Sequence, residues 1–162
     1  MIVEAHEDFS APTALAPEFA LAFLRDPTRL LSRVSFLREV EVSGQEVRGV
    51  LAVQLPLLGE VSLPFFSVLE NTERGARLTP QPIEHRRAWL EVGGEGRLDA
   101  ELDAAALAYA FVFRAHLDTP TAEKWGGAAF EKMVQAAASR TIARVAQALP
   151  RALAEALAVK AG

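Results

Sequence analysis

From Leu107 to Leu117 every second residue is apolar or aromatic, so that Leu107, Tyr109, Phe111, Phe113, Ala115 and Leu117 share one face. A period of two predicts a strand with that face buried. The following stretch, Thr121 to Leu149, changes period: Phe130, Met133, Val134, Ala137, Thr141, Val145 and Ala148 recur at helical spacing. The strand and the helix offer each other apolar surfaces. Each large apolar side chain that is fully buried contributes roughly 1.5 to 3 kcal/mol, against roughly 0 to 1 for an exposed ion pair, so apolar burial decides the docking. Thr119-Pro120-Thr121 supplies a stop and a helix cap. Pro150 is expected to end or kink the helix at Leu149, with Arg151 to Val159 adding a further turn or two.

Upstream, Met1 to Phe9 reads as a first strand, with Val3, Ala5 and Phe9 on one face and Glu4, His6 and Asp8 on the other; Ser10-Ala11-Pro12 should end it. Pro17 opens a short helix carrying Phe19, Ala20, Phe23 and Leu24. Asp26-Pro27 has the form of an N-cap and first-turn proline, followed by a second turn of helix over Thr28 to Ser32. The two helices make an elbow. Alternation then resumes. Val40 and Val42 precede a Ser43-Gly44 turn, and Val47, Leu51, Val53 and Leu55 return as a hairpin. After Pro56 and Gly59, the residues Val61, Leu63, Phe65 and Leu69 alternate with Ser62, Pro64 and Glu70. Pro64 lacks an amide donor and belongs at an edge or bulge. Arg77 to Ile83 and Trp89 to Leu102 read as two more strands, with Leu102 to Ala105 as the last tight turn. Gly93, Gly94 and Gly96 mark a bulge, a bend or a close approach within the second of these.

The 162 residues, 51% of them hydrophobic and 23% charged, suit one folded domain spanning 1–162 with a single core. A net charge of -4 argues against nucleic acid as a partner, since phosphate recognition needs a concentrated cationic face. The absence of cysteine rules out disulfides and thiolate zinc sites. Glu4, Glu7 and Asp8 stand where a signal peptide would be basic and then apolar, so a cytoplasmic location is expected. No uninterrupted apolar run approaches the ~20 residues that a transmembrane helix needs. Nothing in the pattern specifies an oligomeric state.

The candidate chemistry is sparse. Glu4, His6 and Asp8 share a strand face, but same-face neighbours lie about 6.6 Å apart, too far to converge on a metal without help, and a solvated face is the better account. His85 sits in a loop and His116 opposite Phe111 and Phe113, neither beside a nucleophile motif. Gly93-Gly94-Glu95-Gly96 lacks the lysine and the strand-loop-helix setting of a phosphate loop. No cofactor or metal signature is present. Tyr109 stands apart, because a phenol on a buried face needs a hydrogen-bond partner; Thr141 and Arg144 are its candidate companions. Arg140 and Arg144, one helical turn apart, fit a solvated helix face, and Trp125 fits a pocket mouth.

In order of elements, and in the elbow Phe23-Leu24-Arg25-Asp26-Pro27-Thr28-Arg29-Leu30, the chain resembles the helix-grip superfamily of START, Bet v 1 and polyketide-cyclase-like domains. Gly49 to Leu69 and Trp89 to Leu117 are most similar to its small bacterial branch of proteins like the G subunit of carbon monoxide dehydrogenase. The resemblance implies an α+β fold, with a curved antiparallel sheet of about six to seven strands around a long C-terminal helix and two short helices after the first strand. It also implies a cavity between sheet and helix that takes a hydrophobic or amphipathic small molecule or lipid. The expected lining is Leu90, Val92, Leu107, Tyr109, Phe111 and Phe113 from the sheet, and Phe130, Met133, Val134, Ala137 and Thr141 from the helix. The alternatives are a cyclase- or dehydratase-type enzyme, or an assembly module that binds a protein partner or a membrane surface.

Overall fold

The computed structural model describes residues 1–84, 86–101, 104–118 and 127–161. Seven strands, β1 (Ile2–Thr13), β2 (Leu37–Ser43), β3 (Glu46–Leu55), β4 (Gly59–Asn71), β5 (Gly75–Gln81), β6 (Ala88–Glu101) and β7 (Ala104–Leu117), form one sheet in the order β1-β7-β6-β5-β4-β3-β2. Two short helices, α1 (Pro17–Leu24) and α2 (Thr28–Leu31), follow the first strand, and α3 (Ala128–Ala161) closes the chain. Neighbours in this order pair antiparallel; one parallel contact, Phe65 with Leu90, links β4 to β6.

The alternation of β7 is realised in full. Leu107, Phe113 and Ala115 are completely buried, and Tyr109, Phe111 and Leu117 nearly so. Phe9, Tyr109, Phe111 and Phe113 stack side by side, with ring centroids 5.3 to 6.2 Å apart. Helix α3 lies across this concave face and touches β1, β3, β7 and α2. Its buried stripe is Phe130, Val134, Ala138, Ile142, Val145, Leu149 and Leu153. The helical face is therefore rotated from the expected one. Met133 is 52% exposed, and Ala137, Thr141 and Ala148 are half-buried. The large side chains at 134 and 142 fix the rotation, since burying Ile142 gains more than burying Thr141.

Prolines terminate less than their local rules suggest. β1 runs through Ser10, Ala11 and Pro12 to Thr13, with Pro12 opposite Ala106. It is an edge strand with a single partner, where a missing amide proton is tolerated. α3 continues without a break through Pro150, where Leu149, Ala152 and Leu153 are all buried in the core. Packing there outweighs the lost hydrogen bond, which costs about 3 kcal/mol in an isolated helix. Pro64 conforms to expectation: residues 59–65 of β4 lie beyond the end of β5, so its missing donor breaks no β4–β5 rung.

Other local expectations shift. Pro27, not Asp26, is the N-cap of α2, and the Asp26 carboxylate accepts the Thr28 hydroxyl at 2.5 Å and pairs with Arg29 at 3.1 Å. β2 carries a register shift between Arg38 and Glu41, with Glu39 at φ 54, and Val42 on this edge is 39% exposed. The β6 glycines are not at a bulge, because the β6–β7 register is unbroken. They permit close approach: a Cβ on Gly94, which has φ 155, would stand 2.2 Å from the Ala110 carbonyl oxygen. Residues 102–103 of the last tight turn, the 119–121 stop and cap, His85 and Trp125 lie outside the described residues.

Two tethers hold this frame. Where β5 leaves the sheet, Ser67 donates its hydroxyl to the Val92 carbonyl at 2.6 Å, joining β4 to β6. At the end of α1, Arg25 donates from Nη2 to the Thr72 carbonyl at 2.7 Å and from Nε to that of Gly75 at 3.0 Å. The elbow is thereby fixed to the β4–β5 turn.

Candidate functional site beneath the helical elbow

The concave face has two covers, α3 and the α1–α2 elbow, and the elbow leaves a gap. A cavity of about 30 Å³ lies there. Leu24, Pro27, Leu30 and Leu31 form its helical wall, and Leu69, Ala76 and Leu78 bring β4 and β5 to it. The floor is the glycine-rich segment Gly94 to Gly96 of β6, beside Tyr109 and Phe111 of β7. Two local features shape it. Asp26-Pro27 turns the chain between the two short helices, and Gly96 leaves room for Leu24 and the Tyr109 ring on the same spot of sheet.

Of the lining expected from the sequence, Tyr109 and Phe111 border this cavity. Leu90, Val92, Leu107, Phe113, Phe130 and Val134 are buried in the core away from it. Met133 faces outward, and Ala137 and Thr141 border the helix–sheet contact without reaching the cavity. The elbow leucines and Ala76 were missed from the sequence. Their signal was the buried spacing of Leu24, Leu30 and Leu31 around Asp26-Pro27, which reads locally as ordinary helix packing.

Tyr109 is the chemical feature of this wall. Its residue is 8% exposed, and besides this cavity it borders an open groove lined by Asp8, Ser10, Arg97 and Asp99. The companions expected from the sequence are elsewhere: the Thr141 hydroxyl donates to the Ala137 carbonyl of its own helix at 3.2 Å, and Arg144 is exposed. Burial holds the phenol above its usual ionisation range, so it stays protonated and able to donate. The other ionisable lining residue, Glu95, pairs with Arg77 at 3.7 Å.

On the opposite, convex face, the strand-face residues Glu4 and His6 join a polar ladder instead of a metal site. His6 bonds the Glu4 carboxylate, and Arg114 donates to the same carboxylate at 2.8 Å. Arg114 also approaches Glu91 at 3.7 Å, and His116 bonds Glu91 at 2.8 Å while stacking on Trp89 with centroids 4.0 Å apart. Among the described residues, no three His, Asp or Glu side chains gather as metal ligands.

A curled seven-stranded antiparallel sheet, gripped by one long C-terminal helix and capped by an elbow after the first strand, defines a helix-grip protein. Residues 8–147 match the family model described as "Protein of unknown function (DUF3809)", and the chain belongs to that family. No curated protein matches it. Among solved structures it is similar to the Zhui aromatase/cyclase from Streptomyces sp. R1128, at 13% identity and TM-score 0.46, covering 93% of this chain and 96% of that one. It is also similar to TTHA0849 from Thermus thermophilus, at 13% identity and TM-score 0.44, covering 93% and 99%. DR_A0006 from Deinococcus radiodurans is similar at 18% identity and TM-score 0.46, covering 67% and 82%. The narrower likeness to the carbon monoxide dehydrogenase branch is not among these. Among the described residues, no helix is long and apolar enough to cross a membrane.

Proposed function

We propose that this protein binds an apolar or amphipathic small molecule between its sheet and its helical covers, entering at the cavity beneath the elbow. The observation that carries this reading is the cavity itself, a mostly apolar space between the elbow and the sheet with Tyr109 and Phe111 in its wall. A mostly apolar pocket with a few polar groups is the usual form of a small-molecule site.

The cavity of about 30 Å³ has room for about one water, whereas ligand sites span roughly 300 to 1,000 Å³. Binding therefore requires the elbow to move outward. The elbow's helices are only 8 and 4 residues long, and the motion must either carry the β4–β5 turn along or break the Arg25 bonds that tie the elbow to it. Tyr109 and Phe111 would make the first contacts, with the core residues Leu107 and Phe113 next along the same face.

Titration with the neutral fluorescent probe N-phenyl-1-naphthylamine tests the reading. Saturable enhancement is expected, and Ala76→Leu, which fills the cavity wall, should weaken it. Enhancement that never saturates, or that Ala76→Leu leaves unchanged, would overturn the assignment.

A further inference from the structure

We propose that the outer face of α3 docks an acidic helix of a partner protein, with glutamate or aspartate side chains of that helix on Arg140, Arg144 and Arg151. This surface is separate from the elbow cavity and stands independently of the ligand proposed above.

Helix α3 buries one side in the core through Val134, Ala138, Ile142, Val145 and Leu149. On the opposite side Met133, Arg140, Arg144, Gln147 and Arg151 are exposed. At 3.6 residues per turn the three arginines fall within an arc of about 40° and span about 17 Å of the axis. They form a narrow cationic row.

From Lys132 to Ala154 the chain has four cationic residues and no acidic one, although the whole protein carries a net charge of -4. Arg140 and Arg144 are one turn apart, where like charges repel. No aspartate or glutamate stands a turn away from either, and among the described residues neither pairs with a carboxylate. Arg151 reaches Glu155 only at 4.0 Å, with its side chain 87% exposed. Carboxylates from outside the chain would relieve the repulsion within the row.

Shape selects the occupant. Beside the row stand Ala136, Ala137 and Ala143, short side chains that let a second helix approach to the ~8–10 Å of packed helices. A helix repeats its side chains at the same rise, so carboxylates at i, i+4 and i+11 fit Arg140, Arg144 and Arg151 in register. A bilayer fits less well. The apolar side of α3 is already spent in the core, and the exposed row offers no Trp, Phe or Leu to enter headgroups. Three aligned cations are also fewer than the roughly four to eight of a polybasic lipid site.

Two labelled helical peptides of about 20 residues test this, both built from alanine, glutamine and the same number of glutamates. In one the glutamates keep to a single face at the spacing of the arginine row; in the other they are spread around the helix. Fluorescence anisotropy at low salt reads their binding to the wild-type chain and to the double variant Arg140→Gln, Arg144→Gln. The one-faced peptide should bind about three- to tenfold tighter than the spread one, and the double variant should erase that margin. Both substitutions are at exposed positions, and circular dichroism verifies the fold. Binding of N-phenyl-1-naphthylamine should be the same in the variant and the wild type, which keeps this inference separate from the cavity. Equal affinity of the two peptides, or a margin that survives in the double variant, would overturn it. So would absence of binding by either peptide; cosedimentation with phosphatidylcholine vesicles containing about 30% phosphatidylglycerol, lost in the double variant, would then assign the row to a membrane surface.

Discussion

Tyr109 and Gly96 stand opposite each other across the β6–β7 ladder, and the tyrosine ring lies so close over the glycine that a Cβ at 96 would come within 2.9 Å of it. Leu24 of the elbow would be 3.0 Å from the same atom. Three elements therefore meet at a position that tolerates only hydrogen. Gly96→Ala should destabilise the protein by about 1 to 3 kcal/mol, the range for overpacking a well-filled core, read from urea denaturation. An unchanged midpoint would mean that the elbow yields without cost.

Arg25 should matter for stability more than an exposed arginine does. Its two bonds go to backbone carbonyls of the β4–β5 turn, at part-buried positions where the bonds are less screened. Arg25→Ala is expected to cost about 1.5 to 3 kcal/mol, and Arg25→Lys to recover only part of it, because an ammonium lacks the rigid planar spacing that sets Nε and Nη2 on the two carbonyls at once. The same denaturation experiment reads both variants. Equal stability of all three proteins would remove the tether from the account.

Ser67 is the fully buried polar side chain among the described residues. Replacing it with alanine takes its hydrogen from the Val92 carbonyl at the seam where β4 meets β6, at a cost of about 1 to 3 kcal/mol. Amide exchange should rise first around residues 65–67 and 90–92. Uniform exchange across the sheet would show that the seam is held by apolar contact alone.

The convex ladder has a pH signature. Hydrogen bonds from Arg114 and, second, His6 hold the Glu4 carboxyl below its ordinary 4.5. A lowered carboxylate pKa contributes stability that is present above the unfolded value and lost as pH falls through the folded one. The loss attached to Glu4 therefore belongs to the region below pH 4.5, and neutral pH leaves it untouched. NMR titration of the side-chain carboxyl should show Glu4 titrating below 4.5, and Arg114→Leu should raise it. A Glu4 titration that Arg114→Leu leaves unchanged would remove the ladder's electrostatic role.

The sheet and the final helix were legible because their patterns are long and chemically unambiguous. Six alternating inward positions from Leu107 to Leu117 admit one reading, and the structure follows it. The phase of α3 was harder. Alanines at 136–138 make neighbouring helical faces look alike, and Met133 and Thr141 extend the wrong one; Ile142, fully buried, was the discriminating residue. Pro12 and Pro150 misled for a different reason. Proline's local rules assume that every amide is needed, and an edge strand or a strongly packed helix relaxes that assumption. The cavity could not be placed from the sequence, since it forms only when the elbow folds over β6. Gly94 and Gly96 were its nearest sign, read as close approach without showing what approaches.

The 34 residues of α3 span about 51 Å and come after every strand in the chain. During synthesis the whole concave face, including Val53, Leu63 and Phe113, is made before the helix that covers it. The sheet thus spends an interval as an unprotected apolar trough, the kind of surface that invites aggregation and recruits chaperones. Burial of that trough waits on α3, which follows every strand in the chain.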